Sequence, residues 1–466
     1  MDPRTRTLLE APIGPTLLRL ALPNLVVMVV QASIGLIETY FVAKLGTDAL
    51  AGMALVFPIL MLTQMVSAGA MGGGILSAIA RALGSNRQAD AGVLAWHAVA
   101  IAVALGLGTT FAALLGGKSL YALMGGRDAS LVAALTYSNL IFAGAIPLWL
   151  FNSLAAVIRG TGNMVVPASV SALGAVVLIP LSPALIFGIG PLPQLGIAGG
   201  AAAVVLYYIV GSAIFVGFLW FGRGVVRPSL RPPRLRWAPM REILRVGAIS
   251  SLVSLSTNIS IATATGLVGA YGPAAVAGFG TGARLEYLLV PLVFGLGAPL
   301  AAMVGTAIGA GRRERALRVT WTGAAIAGAL TETIGLAGAL YPQAWFALFS
   351  DDPTMSEVGS QYLRIVGPFY GFFGFGLALY FASQGAGRLL WPLIGASLRV
   401  TIAVAGGWIA LRYRGDIGGL FLALGIAMTA FSITNGTAIA LGVWFKGTAH
   451  AAKRNAAMLS PPIVKS

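Results

Sequence analysis

The recurrence of long apolar runs constrains this chain more than any other feature. A helix crosses a hydrocarbon core of about 30 Å with about 20 apolar residues, and segments of that length return along all 466 residues. Twelve spans are expected, approximately at 15–42, 52–78, 92–115, 131–158, 166–189, 195–221, 245–270, 276–308, 320–341, 358–384, 391–411 and 418–445. Only 9% of the residues are charged, against about 25% in a soluble domain. The expected fold is therefore an all-α integral membrane protein with twelve transmembrane helices. No polar stretch is long enough for a separate soluble domain. The first apolar run is too long for a cleavable signal peptide and is expected to stay as an anchor.

The formal charge is +16, and the placement of that charge says what it is for. With the N-terminus inside, the cytoplasmic side receives Arg4, Arg6, Arg81, Arg87, Arg159, Arg312, Arg313 and the basic connector "RGVVRPSLRPPRLRWAPMREILR". The other side receives Lys44, Lys118, Arg127, Arg412 and Arg414. Such a bias orients short loops during insertion, so a multi-pass protein of the cell inner membrane with both termini cytoplasmic is expected. No aromatic-interleaved basic domain suggests a nucleic-acid partner. Cysteine is absent and histidine occurs only at His97 and His450, which excludes disulfides and argues against a metal site.

One half of the chain repeats the other. Tyr137, "RGTG" at Arg159 and Pro167 match Tyr362, "QGAG" at Gln384 and Pro392. "YALM" at Tyr121 matches "FALF" at Phe346, "LGTDALAGM" at Leu45 resembles "YGPAAVAGF" at Tyr271, and "LGSNRQADA" at Leu83 resembles "IGAGRRERA" at Ile308. Six spans per repeat give both halves the same orientation, hence two pseudo-symmetric six-helix lobes around a central cleft. The divisions are an N-lobe at 1–222, a cytoplasmic basic linker at 223–244, a C-lobe at 245–445 and a cytoplasmic tail at 446–466. This is the architecture of a secondary transporter. No pore filter and no phosphate-binding glycine loop is legible, so an ion gradient rather than ATP is the expected driving force. Glycine clusters such as "GAMGGG" at Gly69 let helices approach closely or kink.

Charges inside the spans carry the functional reading. An intramembrane charge costs roughly 2.5–3.5 kcal/mol on insertion scales, so each needs a partner, a wet cavity or a proton. Glu38 has no basic neighbour at helical spacing, and Gln31 and Asn24 extend a polar stripe upstream of it. Such a carboxyl can exchange a proton or attract a cationic ligand; the alternative is a structural hydrogen-bonded group near a helix end. Arg284 and Glu286, two apart, do not face each other on a helix and are expected to meet other spans, as an inter-helix lock or as ligand groups. Glu332 is either protonatable or a neutral group bonded to Thr331 or Thr333. Gln64, Asn152 and Asn258 are further candidates for cavity or lobe contacts, although such residues often only join helices.

These features together resemble the multidrug and toxic compound extrusion (MATE) family. The likeness rests on "FVAKLGTDALAGMALVFP", "GARLEYLLVPLVFGLGAPLAAMVGTAIGAGRRERA" and the paired "RGTGNMVVP" and "QGAGRLLWP", and it extends from about residue 15 to 445. The resemblance implies export of amphipathic, often cationic compounds against an inward flow of protons or sodium ions, with no cofactor and no enzymatic activity. Many members carry an aspartate where this chain has Glu38. One branch adds polar fifth- and sixth-span residues where this chain offers Leu178, Ser182 and Val204. Another places carboxylates in spans seven and ten, which are missing here. Proton antiport at Glu38 is the expectation, with sodium coupling, a lipid-precursor flippase and a membrane-embedded enzyme as the other readings. The expected partners are small amphipathic molecules and the bilayer, with the protein acting as a monomer.

Overall fold

Apolar runs interrupted by glycine and proline turns become helices here, and the turns fall where the sequence breaks its hydropathy. A computed structural model describes residues 2–445 apart from Arg223, Ser350, Asp351, Arg414 and Gly415; the side chains of Gln31, Ala32, Ser33, Ile34, Leu36 and Tyr287 also lie outside the description. A surface helix, α1 (Pro3–Glu10), precedes α2 (Ile13–Ala43), α3 (Thr47–Gly84), α4 (Gln88–Leu123), α5 (Asp128–Ala143), α6 (Ala145–Gly160), α7 (Val165–Phe187) and α8 (Ile197–Phe221). After the connector come α9 (Trp237–Tyr271), α10 (Pro273–Gly309), α11 (Arg313–Leu340), α12 (Pro353–Ala386), α13 (Leu390–Tyr413) and α14 (Ile417–Ala440). Among the described residues eleven helices are long and apolar enough to cross a membrane, and the pair α5–α6, bent by 49°, makes twelve when counted as one span. The all-α membrane fold is thus as expected. Leu22, Val29, Leu115, Val176 and Ile409 are exposed, an apolar exterior suited to lipid.

The internal repeat is carried into backbone conformation. Left-handed residues recur in pairs at Gly46 (φ 111°) and Gly272 (φ 96°), at Asn86 (φ 56°) and Gly311 (φ 71°), and at Gly162 (φ 81°) and Gly387 (φ 70°). A positive φ costs glycine nothing sterically, which explains why these positions stand out when the halves are aligned. Pro273 and Pro353 occupy the first turns of their helices, and Asp352 caps α12 through the amides of Thr354 and Met355; proline needs no amide partner there.

The two bundles meet along α2, α3, α9, α10 and α12. Asn24 donates to the Gly295 carbonyl at 3.4 Å, Gln384 to the Gly69 carbonyl at 3.3 Å, and Arg81 to the Gly385 carbonyl at 2.9 Å and to Glu242 at 2.9 Å. Glycines make the approach possible. A Cβ at Gly74 would lie 2.7 Å from the Ile243 carbonyl, one at Gly305 would lie 2.9 Å from Ala80, and at Gly84 and Gly309 it would collide with the Thr306 and Arg81 carbonyls. These contacts run from the middle of the helices to the end bearing the N-terminus, the terminal face. The connector lies against the N-terminal bundle: Arg236 N–H donates to His97 Nε2 at 2.9 Å, and Trp96 Nε1 to the Ser229 carbonyl at 2.9 Å.

Candidate functional site

Glu38 sits about one and a half turns before the end of α2, on the side turned into the N-terminal bundle. It is 8% exposed. Tyr137 of α5 donates its hydroxyl to Glu38 Oε1 at 2.9 Å. Leu178 and Ser182 of α7 share with Ile37, Glu38 and Phe41 a cavity of about 10 Å³, near the lower limit for one water. Ser182 Oγ, buried beside it, has no hydrogen-bond partner among the described residues. The absence of a side chain at Gly200 of α8 opens the last wall, since a Cβ there would lie 3.2 Å from Glu38 Oε1. Among the described residues no basic group forms an ion pair with Glu38. The carboxyl therefore meets a phenol, a free hydroxyl and hydrocarbon. Such a group has two workable states, neutral with a proton or charged with a cation beside it.

A neutral polar cluster occupies the same bundle. Gln64 of α3 hydrogen-bonds to the hydroxyl of Tyr208, and Asn152 of α6 donates to Gln64 Oε1 at 3.1 Å and to Ser67 Oγ at 2.8 Å. Ser67 lies in a π-helical turn of α3, Met65–Met71, a distortion that often marks functional segments.

The C-terminal bundle builds a counterpart with different electrostatics. Tyr362, the repeat partner of Tyr137, donates to Glu286 Oε2 of α10 at 3.2 Å. Here a cation is present: Arg399 of α13 lies 3.8 Å from Glu286 Oε1, both side chains being about one-eighth exposed at 12% and 13%. The Arg399 guanidinium also lies 5.5 Å from the centre of the Phe373 ring. Glu286 is thus an inter-helix lock inside one bundle.

The remaining sequence candidates separate. Asn24 reaches the other bundle through Gly295, and Asn258, largely exposed, bonds back to the Ser254 carbonyl at 3.0 Å with Met65 Sδ 3.9 Å away across the seam. Gln31 lies outside the described side chains. Asn24 and Glu38 meet different bundles, the first through Gly295 and the second through Tyr137. Arg284 is exposed and lies 5.6 Å over the Phe349 ring, away from the seam. Glu332 accepts from the Gly371 amide at 2.6 Å, whereas Thr331 and Thr333 bond to the Ala327 and Ala329 carbonyls. The expected threonine partners satisfy their own helix instead, as hydroxyls in helices commonly do. Tyr137, Tyr208 and Ser67 were not singled out as site residues. Only Tyr137 carried a signal, its recurrence as Tyr362.

The MatE family profile matches residues 23–184 and 250–409, one block in each half of the chain. The chain belongs to the MatE family. A FAD transporter of Shewanella oneidensis is 30% identical over 81% of this chain and 82% of its own length. A probable multidrug resistance protein NorM of Thermotoga maritima is 28% identical over 82% of each. Among solved structures, that of MATE in the bent conformation has a TM-score of 0.87 at 25% identity, covering 98% of this chain and 100% of the other. Membership makes the chain a multi-pass membrane transporter.

Proposed function

We propose that this protein is a secondary active antiporter of the inner membrane. It exports amphipathic, cationic drugs or metabolites in exchange for protons, by alternating access and as a monomer. The observation that carries the reading is Glu38: a buried carboxyl bonded to Tyr137 at 2.9 Å with a free hydroxyl, not a cation, as its other polar neighbour. Ile37, Phe41, Leu178 and Ile179 line the rest of the small cavity, a setting that suits a proton better than a sodium ion, which needs several oxygen ligands. The relatives named a multidrug resistance protein and a FAD transporter support an organic solute as cargo.

The cycle follows from linkage. With the cleft open to the cytoplasm, ionised Glu38 favours a cationic cargo. After the bundles rock outward, protonation removes the charge and the cargo leaves. Return with the proton bound delivers it inside, and coupling results because proton and cargo have opposed preferences for one carboxyl. The positive-inside charge distribution supports a cytoplasmic terminal face, and on that reading the closed seam corresponds to an outward-facing state. The test is dye efflux from proteoliposomes under imposed proton and sodium gradients. Wild type is expected to respond to the proton gradient and Glu38→Gln to lose that response. Full proton-driven export by Glu38→Gln would sink the reading.

A further inference from the structure

A second site lies far from Glu38, at the terminal-face end of the seam. Here a cavity of about 500 Å³ opens between α3 of one bundle and α9, α10 and α12 of the other. Its polar wall holds four guanidinium groups, Arg81, Arg245, Arg313 and Arg388, against a single carboxylate, Glu242. Arg81 is already committed, to Glu242 at 2.9 Å and to the Gly385 carbonyl at 2.9 Å. Arg313 lies 4.3 Å over the ring of Phe445. Arg245 and Arg388 make no side-chain hydrogen bond or ion pair among the described residues, and both are exposed. Like charges gathered in a concave, low-dielectric site raise its potential and concentrate counter-anions. The volume is that of a ligand site.

We propose that this cavity binds a phosphate-bearing anion. Guanidinium forks match phosphate oxygens two at a time, and two unpaired arginines beside a committed one supply more donors than a carboxylate ligand could use. Trp444 and Phe445 form an aromatic side to the cavity, so the phosphate fits best as an ester of a planar or apolar group. A soluble nucleoside diphosphate and an anionic phospholipid headgroup share that chemistry. Because Arg81 and Arg388 come from different bundles, the bound anion bridges the seam and favours the state closed on this face. The site does not depend on the proton coupling proposed for Glu38.

The experiment uses the full chain in nanodiscs at low salt and reads ligand binding by thermal shift and titration. Soluble probes, ADP and inorganic pyrophosphate, are added to phosphatidylcholine nanodiscs. The lipid source is tested by replacing part of the phosphatidylcholine with phosphatidylglycerol. Saturable stabilisation by the soluble probes assigns the site to a soluble phosphate ester, and stabilisation by phosphatidylglycerol alone assigns it to a headgroup. In either case the double substitution Arg245→Gln with Arg388→Gln is expected to weaken binding at least tenfold, and added salt to weaken it further. The matching double lysine variant keeps the charge but not the fork, controls for folding, and is expected to bind between the glutamine variant and wild type. No saturable response from either source would overturn the proposal. So would a glutamine variant that binds like wild type, or a lysine variant that loses as much as the glutamine one.

Discussion

Two tyrosines at equivalent positions hold two glutamates, and a single arginine separates their roles. Tyr137 holds Glu38 without a neighbouring cation, and Tyr362 holds Glu286 with Arg399 3.8 Å away. A hydrogen bond to a charged group contributes about 1.5–3 kcal/mol, tenfold or more in an equilibrium. Tyr137→Phe is therefore expected to move the pH midpoint of efflux by about one unit or more, while Tyr362→Phe leaves it in place. Equal movement in both variants, or none in either, would remove the distinction between the two carboxyls. The locked pair makes a different prediction. Removing one partner of a buried pair costs about 3–5 kcal/mol, while replacing both by apolar groups is close to neutral. Melts of purified protein should rank Glu286→Leu and Arg399→Leu well below the double variant. If the double variant were the least stable of the three, the pair would not be a compensated one.

At the scale of elements, what was legible in the sequence depended on whether the signal was local. The spans were legible because each is a continuous apolar run, and the halves because left-handed turns at Gly46 and Gly272, or Gly162 and Gly387, need the same residue type twice. The partner of Glu38 was not legible. Tyr137 lies 99 residues away in a run where a tyrosine looks like any packing aromatic. The polar positions Asn24 and Glu38 on α2 do meet other helices, but periodicity reports a helix face and not which neighbour covers it. Helix α1 illustrates an element whose role appears only in three dimensions. Arg315 donates to the Leu8 carbonyl at 3.2 Å and the Ala11 carbonyl at 2.5 Å, and Arg312 lies 3.5 Å from Glu10. These bonds tie the first helix to the start of α11, with Leu8 packed beside Gly162 of the other bundle. Arg315→Ala should raise amide exchange in α1 about tenfold, the loss of roughly one charge-assisted bond. The Arg6 hydrogen bond, with Arg312 adding to it, holds the Glu10 carboxyl below its usual range. A lowered value means stabilisation that is complete above the ordinary carboxylate pKa of about 4.3 and is lost as pH falls through the depressed one. Protection of α1, corrected for intrinsic exchange, should hold at neutral pH and fall at the acid end. Unchanged protection in Arg315→Ala would mean that α1 is held by its apolar contacts alone.

For the molecule as a whole, the question is what lets two rigid bundles close on one face and reopen. Close-packed interfaces switch between discrete arrangements rather than deforming continuously, and this seam closes by backbone approach at Gly84 and Gly309. A side chain at either position would meet a carbonyl of the opposite bundle, Thr306 or Arg81, and carbonyls of helices cannot move aside as a flexible side chain can. The seam also carries the Arg81 hydrogen bonds to Gly385 of α12 and Glu242 of α9, so separating the α3 end from the opposite bundle by even a bond's length breaks polar contacts along with packing. Gly309→Leu is therefore expected to leave each bundle intact while disfavouring the closed terminal face. The chain has no cysteine, so spin labels at Arg87→Cys and Glu314→Cys report the separation of the two bundles without background. Both positions are well exposed, at 64% and 79%. In Gly309→Leu the inter-label distances should shift to longer values than in the parent, and export should fall because the outward-facing state is reached less often. A control substitution at Gly108, where an added Cβ meets nothing, should change neither readout. Unaltered distances together with parental export in Gly309→Leu would mean that the bundles close on contacts other than this glycine seam.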